Sequence, residues 1–184
     1  MKKIVIFNGS PRKDGNNSTI LNLIERGAKE HHAEVKSYTL FKMKMSACVG
    51  CYHCQTSEDH SCILTDEMTK AIEDIKEADA VVIGSPIYFF QINGMTKNLY
   101  DRMFPLWGRT FGEKKIVTVY TQEMGDPNMN ESYFQYLEMT MLPGFGFTDV
   151  HRIVACNASN PAAADENEAL KKEAYEVGAQ LAKG

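Results

Sequence analysis

No stretch of this sequence approaches the ~18 consecutive apolar residues that a membrane-spanning helix needs. Met1-Lys2-Lys3 is followed by only four apolar residues, too few for the core of a secretion signal. The chain therefore reads as cytoplasmic, with no membrane partner. Positive charge is not in excess either: 20 Lys and Arg stand against 24 Asp and Glu, a net charge of -4. Without a basic surface there is no electrostatic reason to expect a nucleic-acid partner. Cysteine is scarce and unevenly placed. Four of the five cysteines fall within fifteen residues, the distribution of a metal or redox site and not of structural disulfides spread over a secreted fold. Internal repeats and low-complexity linkers are missing as well. The 184 residues suffice to bury about 70% of the unfolded surface in one core. A single domain over 1–184 follows, with a cysteine-rich loop at 46–64 and no room for a second cofactor-binding domain.

What the sequence does have is a short apolar run, Ile4-Val5-Ile6-Phe7, written like a strand buried on both faces of a parallel sheet. It leads into Gly9-Ser10-Pro11-Arg12-Lys13-Asp14-Gly15-Asn16-Asn17-Ser18. From Ile20 onward, Leu21, Ile24 and Ala28 repeat at helical spacing. A polar loop between a strand and a helix N-terminus directs backbone N–H groups at one spot, and Ser10, Arg12, Asn16, Asn17 and Ser18 add side-chain donors. No Lys-Ser or Lys-Thr follows the second glycine, which excludes the loop that holds nucleotide triphosphates. Gly9 and Gly15 also miss the G-x-G-x-x-G spacing of dinucleotide sites. A hydroxyl- and amide-rich loop with one arginine suits a monophosphate. The plainer alternative is a Gly/Pro/Asn turn capped by Ser18.

The strand, loop and helix pattern then repeats. Val35 to Leu40 reads as a partly polar edge strand. Met68, Ala71, Ile72 and Ile75 mark a helix with Asp66 and Glu67 in its first turn. Strands are predicted at Ala80 to Ile83, Ile116 to Tyr120 and Arg152 to Cys156. Helices are predicted through Met95, Leu99 and Met103, through Tyr133, Leu137 and Met141, and through Leu170, Ala174, Val177 and Leu181. Five strands alternating with five helices give an α/β doubly wound parallel sheet, helices on both faces, a three-layer sandwich. Ligands bind such sheets at the carboxyl ends of the strands. The loops Ser10 to Ser18, Pro86 to Asn93 and Thr121 to Asn130 therefore converge on one site. Tyr88, Phe89, Phe90, Trp107 and Phe111 are candidate walls for a flat ring, although aromatics near helix ends more often serve the core. Lys97 and Asp101 read equally well as a surface ion pair. Cys156 reads as a small buried hydrophobe, and His31 and His32 as partners of a helix dipole.

Gly9-Ser10-Pro11-Arg12-x-x-Gly15-Asn16, Gly84-Ser85-Pro86-x-Tyr88 and Lys97-x-x-x-Asp101-Arg102 together resemble the flavodoxin-like, NAD(P)H-dependent FMN reductase family over nearly the whole chain. That resemblance implies FMN as cofactor and NAD(P)H as co-substrate. Ser10, Arg12, Asn16, Asn17 and Ser18 would hold the phosphate, and Pro86, Ile87, Tyr88 and Phe89 would line the isoalloxazine. Thr121 and Gln122 would neighbour the flavin. Asn17 stands where the family more often has threonine, and Thr121-Gln122-Glu123-Met124-Gly125 where it often shows Thr-Gly-Gly. The resemblance also implies a homodimer or homotetramer, with Phe104-Pro105-Leu106-Trp107 as the candidate contact. A non-enzymatic, flavodoxin-like electron carrier is the alternative.

The four clustered cysteines follow the pattern Cys48-x2-Cys51-x2-Cys54-x7-Cys62. Three thiolates at that spacing can wrap one centre, with Gly50 permitting the tight turn between the first two, and a fourth can close the set. The pattern resembles the iron-sulfur flavoprotein branch of the same family, which implies a [4Fe-4S] cluster exchanging electrons with FMN. Ferredoxin then joins NAD(P)H as a candidate donor, and a quinone, a flavin or a redox partner is the acceptor. Two alternatives stay open: reduced, empty thiols, or a zinc ion held jointly with His53 or His60.

Overall fold

The computed structural model describes residues 1–109 and 111–184. In chain order the elements are β1 (Lys3–Asn8), α1 (Asn16–Glu30), β2 (Glu34–Thr39), a short α2 (His53–Thr56), α3 (Glu67–Glu77), β3 (Ala80–Tyr88), a two-residue β4 (Gln91–Ile92), α4 (Gly94–Arg102), β5 (Lys114–Thr121), α5 (Glu131–Tyr136), a single-turn α6 (Leu142–Gly144), β6 (Phe147–Ala155) and α7 (Glu168–Lys183). A π-helical turn at Leu137–Met141 joins α5 to α6. The parallel strands lie in the order β2-β1-β3-β5-β6, and β4 pairs antiparallel with the end of β3. The direction of winding reverses between β1 and β3, which makes the carboxyl ends of those strands the expected ligand site.

Alternation along each strand builds two cores. Ile4 and Ile6 of β1 pack with Ile20, Leu21 and Ile24 of α1 and with Leu170, Ala174 and Val177 of α7. Val5 and Phe7 face the other way, onto Met68, Ile72 and Ile75 of α3 and Leu99 of α4. With helices on both faces, every position from Ile4 to Phe7 is apolar, and only the end residues Lys3 and Asn8 are polar. Each such buried aliphatic side chain contributes about 1.5 to 3 kcal/mol. The partly polar β2 lies at the edge and keeps one side accessible. α1 and α7 cross backbone to backbone: a Cβ on Gly27 would sit 2.1 Å from the Tyr175 carbonyl oxygen, and one on Gly178 would sit 2.0 Å from that of Ile24. Only glycine fits at either position.

Several boundaries differ from the sequence expectation. α1 starts at Asn16, so Asn16, Asn17 and Ser18 belong to its first turn, and Gly15, not Ser18, is the N-cap residue. β3 runs on through Gly84 to Tyr88, because Ser85 and Pro86 still pair in register with Tyr120 and Thr121 of β5. β4 was not expected. β6 begins at Phe147, ahead of Arg152, because the exposed Thr148, Asp149 and His151 interrupt the apolar signal that only Phe147 and Val150 carry there. Of the Phe104-Pro105-Leu106-Trp107 stretch expected at a subunit contact, Leu106 is buried in this chain's own core and Pro105 is buried beside the cysteine loop, while Trp107 lies edge-on to Phe145. Among the described residues no helix is long and apolar enough to cross a membrane.

Candidate flavin and cysteine sites

A cleft of about 220 Å³ opens at the carboxyl ends of β1, β3 and β5. Ser10, Arg12, Asn16 and Asn17 form one wall, Pro86, Ile87 and Tyr88 a second, and Thr121 with Glu123 a third. Ala158 and Ser159, from the loop after β6, close the fourth side and had no signal in the sequence. Three other assigned residues lie outside the lining. Ser18 is a brace, its hydroxyl accepting from Asn8 Nδ2 (3.0 Å) and donating to the Arg12 carbonyl (3.3 Å). Gln122 holds the third loop together, donating from Nε2 to the Asp126 carbonyl (2.7 Å) and accepting from Asn130 Nδ2 (2.8 Å). Phe89 projects into solvent at 97% exposure.

The first loop is organised by Asn8, the last residue of β1. Its Oδ1 accepts from the Ser10 backbone N–H (2.9 Å) and from Asn17 Nδ2 (2.8 Å). Ser10 Oγ accepts in turn from the Arg12 backbone N–H (3.2 Å). Asn93, which caps α4 through the Thr96 amide (3.0 Å), donates from Nδ2 to the Gly9 carbonyl (2.5 Å) and so ties the first loop to the second. Asn16 is occupied differently: Nδ2 donates to the carbonyls of Asn160 (2.8 Å) and Ala158 (3.3 Å), and Oδ1 accepts from the Ala164 amide (2.8 Å). It fixes the fourth wall and contributes its backbone N–H to the cleft side of α1.

Two features of the cleft remain unpaired. α1 has an extended N-cap glycine, no acidic residue in its first turn, and no capping side chain among the described residues. Its first ladder bond comes from Thr19 to Gly15 (3.1 Å), which leaves the leading amides aimed outward with the positive end of the helix dipole behind them. Asn17 Oδ1 is buried without a partner among the described residues. The leading α1 amides, the Ser10 hydroxyl and the Arg12 guanidinium form a donor set that fits a phosphate group, whereas the Asn17 side chain, expected from the sequence to donate there, has its Nδ2 held by Asn8 and only an acceptor oxygen left over. The Pro86-Ile87-Tyr88 segment lies beside them.

The rim of the second wall is strained. Tyr88 and Gln91 pair across a two-residue hairpin whose central residues, Phe89 (φ 47°) and Phe90 (φ 66°), both lie in the left-handed region. That backbone is normally written Asn-Gly. Bulky residues there cost about 1 to 3 kcal/mol each.

The four cysteines line a second, mostly apolar pocket with Val49, Ile63, Leu64, Phe104 and Pro105, to which Asp101 and Arg102 add the charged groups. Left-handed residues at Gly50 (φ 64°), Tyr52 (φ 59°) and His60 (φ 52°) fold the loop back on itself so that cysteines 14 positions apart in sequence share one wall set. Cys48 and Cys51 are exposed and Cys54 is buried. Burial pushes the Cys54 thiol up, and the three neighbouring cysteines add to that shift. Arg109 staples the middle of the loop, donating to Gln55 Oε1 (3.2 Å), to the Cys54 carbonyl (3.4 Å) and toward His60 Nδ1 (2.8 Å). Arg102 holds its ends, donating to the Ser46 carbonyl (2.8 Å) and in bidentate fashion to Asp66 (2.7 and 2.9 Å). The engagement of His60 with Arg109 leaves it poorly placed as a zinc ligand. Among the described residues no three Cys, His, Asp or Glu side chains gather around a single-ion position. Four thiol groups around one apolar pocket fit the donor set of a polynuclear centre.

Fold and cleft together define a doubly wound α/β protein whose first loop is built for an anionic group. Residues 2–149 match the NADPH-dependent FMN reductase family, and the chain belongs to it. It is 29% identical over 185 residues to an iron-sulfur flavoprotein of Archaeoglobus fulgidus, covering 99% of this chain and 79% of that one. An iron-sulfur flavoprotein of Methanocaldococcus jannaschii is 31% identical over 104 residues, 56% of this chain and 53% of its own length. The matches to several of these curated relatives span about half of the relative's length. Among solved structures, the NAD(P)H:quinone oxidoreductase of Methanothermobacter marburgensis superposes with a TM-score of 0.79 at 14% identity, over 98% of this chain and 96% of that one. An FMN-dependent NADH-azoreductase of Bacillus anthracis in complex with FMN gives 0.74 at 16%, over 98% and 100%. These two likenesses establish the flavodoxin-like fold.

Proposed function

We propose that the chain is an FMN-dependent oxidoreductase of the iron-sulfur flavoprotein type. The observation that carries the reading is the uncapped N-terminus of α1 opening into the cleft beside Arg12 and Asn17. In this reading Ser10, Arg12 and the leading α1 amides, that of Asn17 among them, bind the FMN phosphate, the Asn16, Asn17 and Ser18 side chains brace them, and Pro86, Ile87 and Tyr88 support the isoalloxazine. Thr121 stands on the opposite wall, and Phe89 at the rim. FMN supplies the conversion between two-electron and one-electron transfer when bound. The protein's part is to orient the ring, leave one face open to NAD(P)H or a small acceptor such as a quinone or free flavin, and keep the phosphate anchored. One substrate leaves before the next enters, and ping-pong kinetics follow.

Cys48, Cys51, Cys54 and Cys62 are the proposed ligands of a [4Fe-4S] cluster, which would open the route to a one-electron donor such as ferredoxin. The pattern of relatives supports this, as does the shared apolar pocket. Cytoplasmic residence and assembly into a homodimer or homotetramer belong to the same reading. Arg12→Ala tests the flavin half: FMN affinity falls about tenfold, near 1.4 kcal/mol, while riboflavin, which lacks the phosphate, binds as before. Unchanged FMN affinity would place the phosphate elsewhere. Cys54→Ser tests the other half through loss of iron and acid-labile sulfide with flavin retained. A protein that binds FMN yet consumes almost no NAD(P)H with any quinone or flavin acceptor would be an electron carrier instead.

A further inference from the structure

We infer that Arg102 is a positioning residue of the cysteine pocket whose buried positive charge sets the reduction potential of the centre held there. This rests on reading the four cysteines as cluster ligands.

The Arg102 side chain is fully buried, which is costly for a guanidinium unless its surroundings require the charge. Its Nη1 and Nη2 are satisfied by Asp66 and the Ser46 carbonyl, but Nε is buried with no partner among the described residues. Asp66 neutralises Arg102 as a pair but leaves the pair oriented, with the positive end toward the cysteines. Its carboxylate also accepts from the backbone amides of Ser46 (2.9 Å) and Met68 (3.1 Å), and it lies on the outer, partly exposed side of the pair. On the inner side Arg102 forms part of the cysteine pocket wall beside Cys62. The rest of that wall is apolar apart from Tyr52 and Asp101, and the Asp101 carboxylate is paired with Lys97, so little screens the guanidinium from the thiol sulfurs. Arginine suits the position because its planar fork grips Asp66 with two nitrogens and still presents a third, which a lysine cannot do.

A cluster on four thiolates is anionic, and reduction adds one electron to it. Net charge and hydrogen bonds at the sulfurs are the levers that tune its potential. A buried cation at the wall stabilises the reduced state and raises the potential. Removing the counter-charge at Asp66 raises it further.

The test is a mediated redox titration, followed by electron paramagnetic resonance, on anaerobically purified, full-length Arg102→Gln and Asp66→Asn proteins, with iron and sulfide assayed on each sample. At the wild-type midpoint the ratio of reduced to oxidised cluster is expected to fall about tenfold in Arg102→Gln, a shift of about 59 mV, and to rise in Asp66→Asn, where asparagine preserves the helix cap. Both substitutions loosen the same loop, so a purely structural role predicts shifts of the same sign or none, and that result overturns the inference. If Arg102→Gln fails to hold iron, Asp66→Asn decides alone: a raised potential supports the role and an unchanged one rejects it. A wild-type protein without iron or sulfide removes the cluster reading and this inference with it, whereas full iron with unmoved potentials rejects the inference only.

Discussion

The side-chain amide of Asn17, in the first turn of α1, donates to Asn8 Oδ1 at 2.8 Å, so the end of the first strand and the start of the first helix are locked together beneath the cleft. Ser10 N–H shares that same acceptor. The conformation of the proposed phosphate loop is therefore imposed by a residue that does not line the cleft.

Asn8→Ala removes three hydrogen bonds at once, and stability is expected to fall by about 1 to 3 kcal/mol. FMN affinity should drop about tenfold or more, with a smaller effect on riboflavin. Isothermal titration with both ligands checks this, and equal losses for the two would show that Asn8 supports the ring and not the phosphate loop.

Replacing Phe89-Phe90 with Asn-Gly gives the hairpin the residues its left-handed backbone prefers. Unfolding free energy is expected to rise by about 1 to 3 kcal/mol, since both aromatic rings are mostly exposed. A chemical denaturation curve decides. A loss of stability would mean that the rings are buried against something in the assembled protein.

Asp66 provides a pH-dependent hold on the cysteine loop. Burial opposes its charge, but the hydrogen bonds from Arg102 and the Ser46 amide outweigh that and hold its carboxyl below the usual carboxylate range. A group depressed in the folded state contributes stability above its unfolded value, about 3.9, and loses it as pH falls through the lower folded value. Protease cleavage within residues 46–66 should accelerate below about pH 4. Asp66→Asn should already be cleaved faster at neutral pH and show a weaker acid response.

Much of the fold was legible because its signals are local. Ile4 to Phe7, the α3 stripe of Met68, Ala71, Ile72 and Ile75, and the Gly9 to Ser18 loop each carry their meaning in adjacent residues. The cysteine spacing pointed to one centre for the same reason, and the four side chains do share a pocket. What the sequence could not show depends on distant partners. Asn16 looks like a phosphate ligand until Asn160 and Ala164 claim both ends of its amide. Ala158 and Ser159 reach the cleft only because β6 sits beside β5. Arg102 belonged to a recognisable motif, yet its grip on Asp66 and Ser46 spans 36 and 56 positions. The β4 hairpin was hidden because its turn is written in phenylalanine. Asn8 did leave a trace: it is the polar residue that ends an apolar strand just before a loop of donors.

The central claim, a flavin and an iron-sulfur centre working in one chain, is tested most directly by counting electrons. An anaerobic reductive titration of the purified protein, followed in the visible spectrum with iron and sulfide assayed alongside, should consume about three electrons per chain, two for FMN and one for a [4Fe-4S] cluster. Flavin bleaching complete at about two electrons, with no iron in the sample, would contradict the account and leave a simple FMN reductase with an empty cysteine pocket.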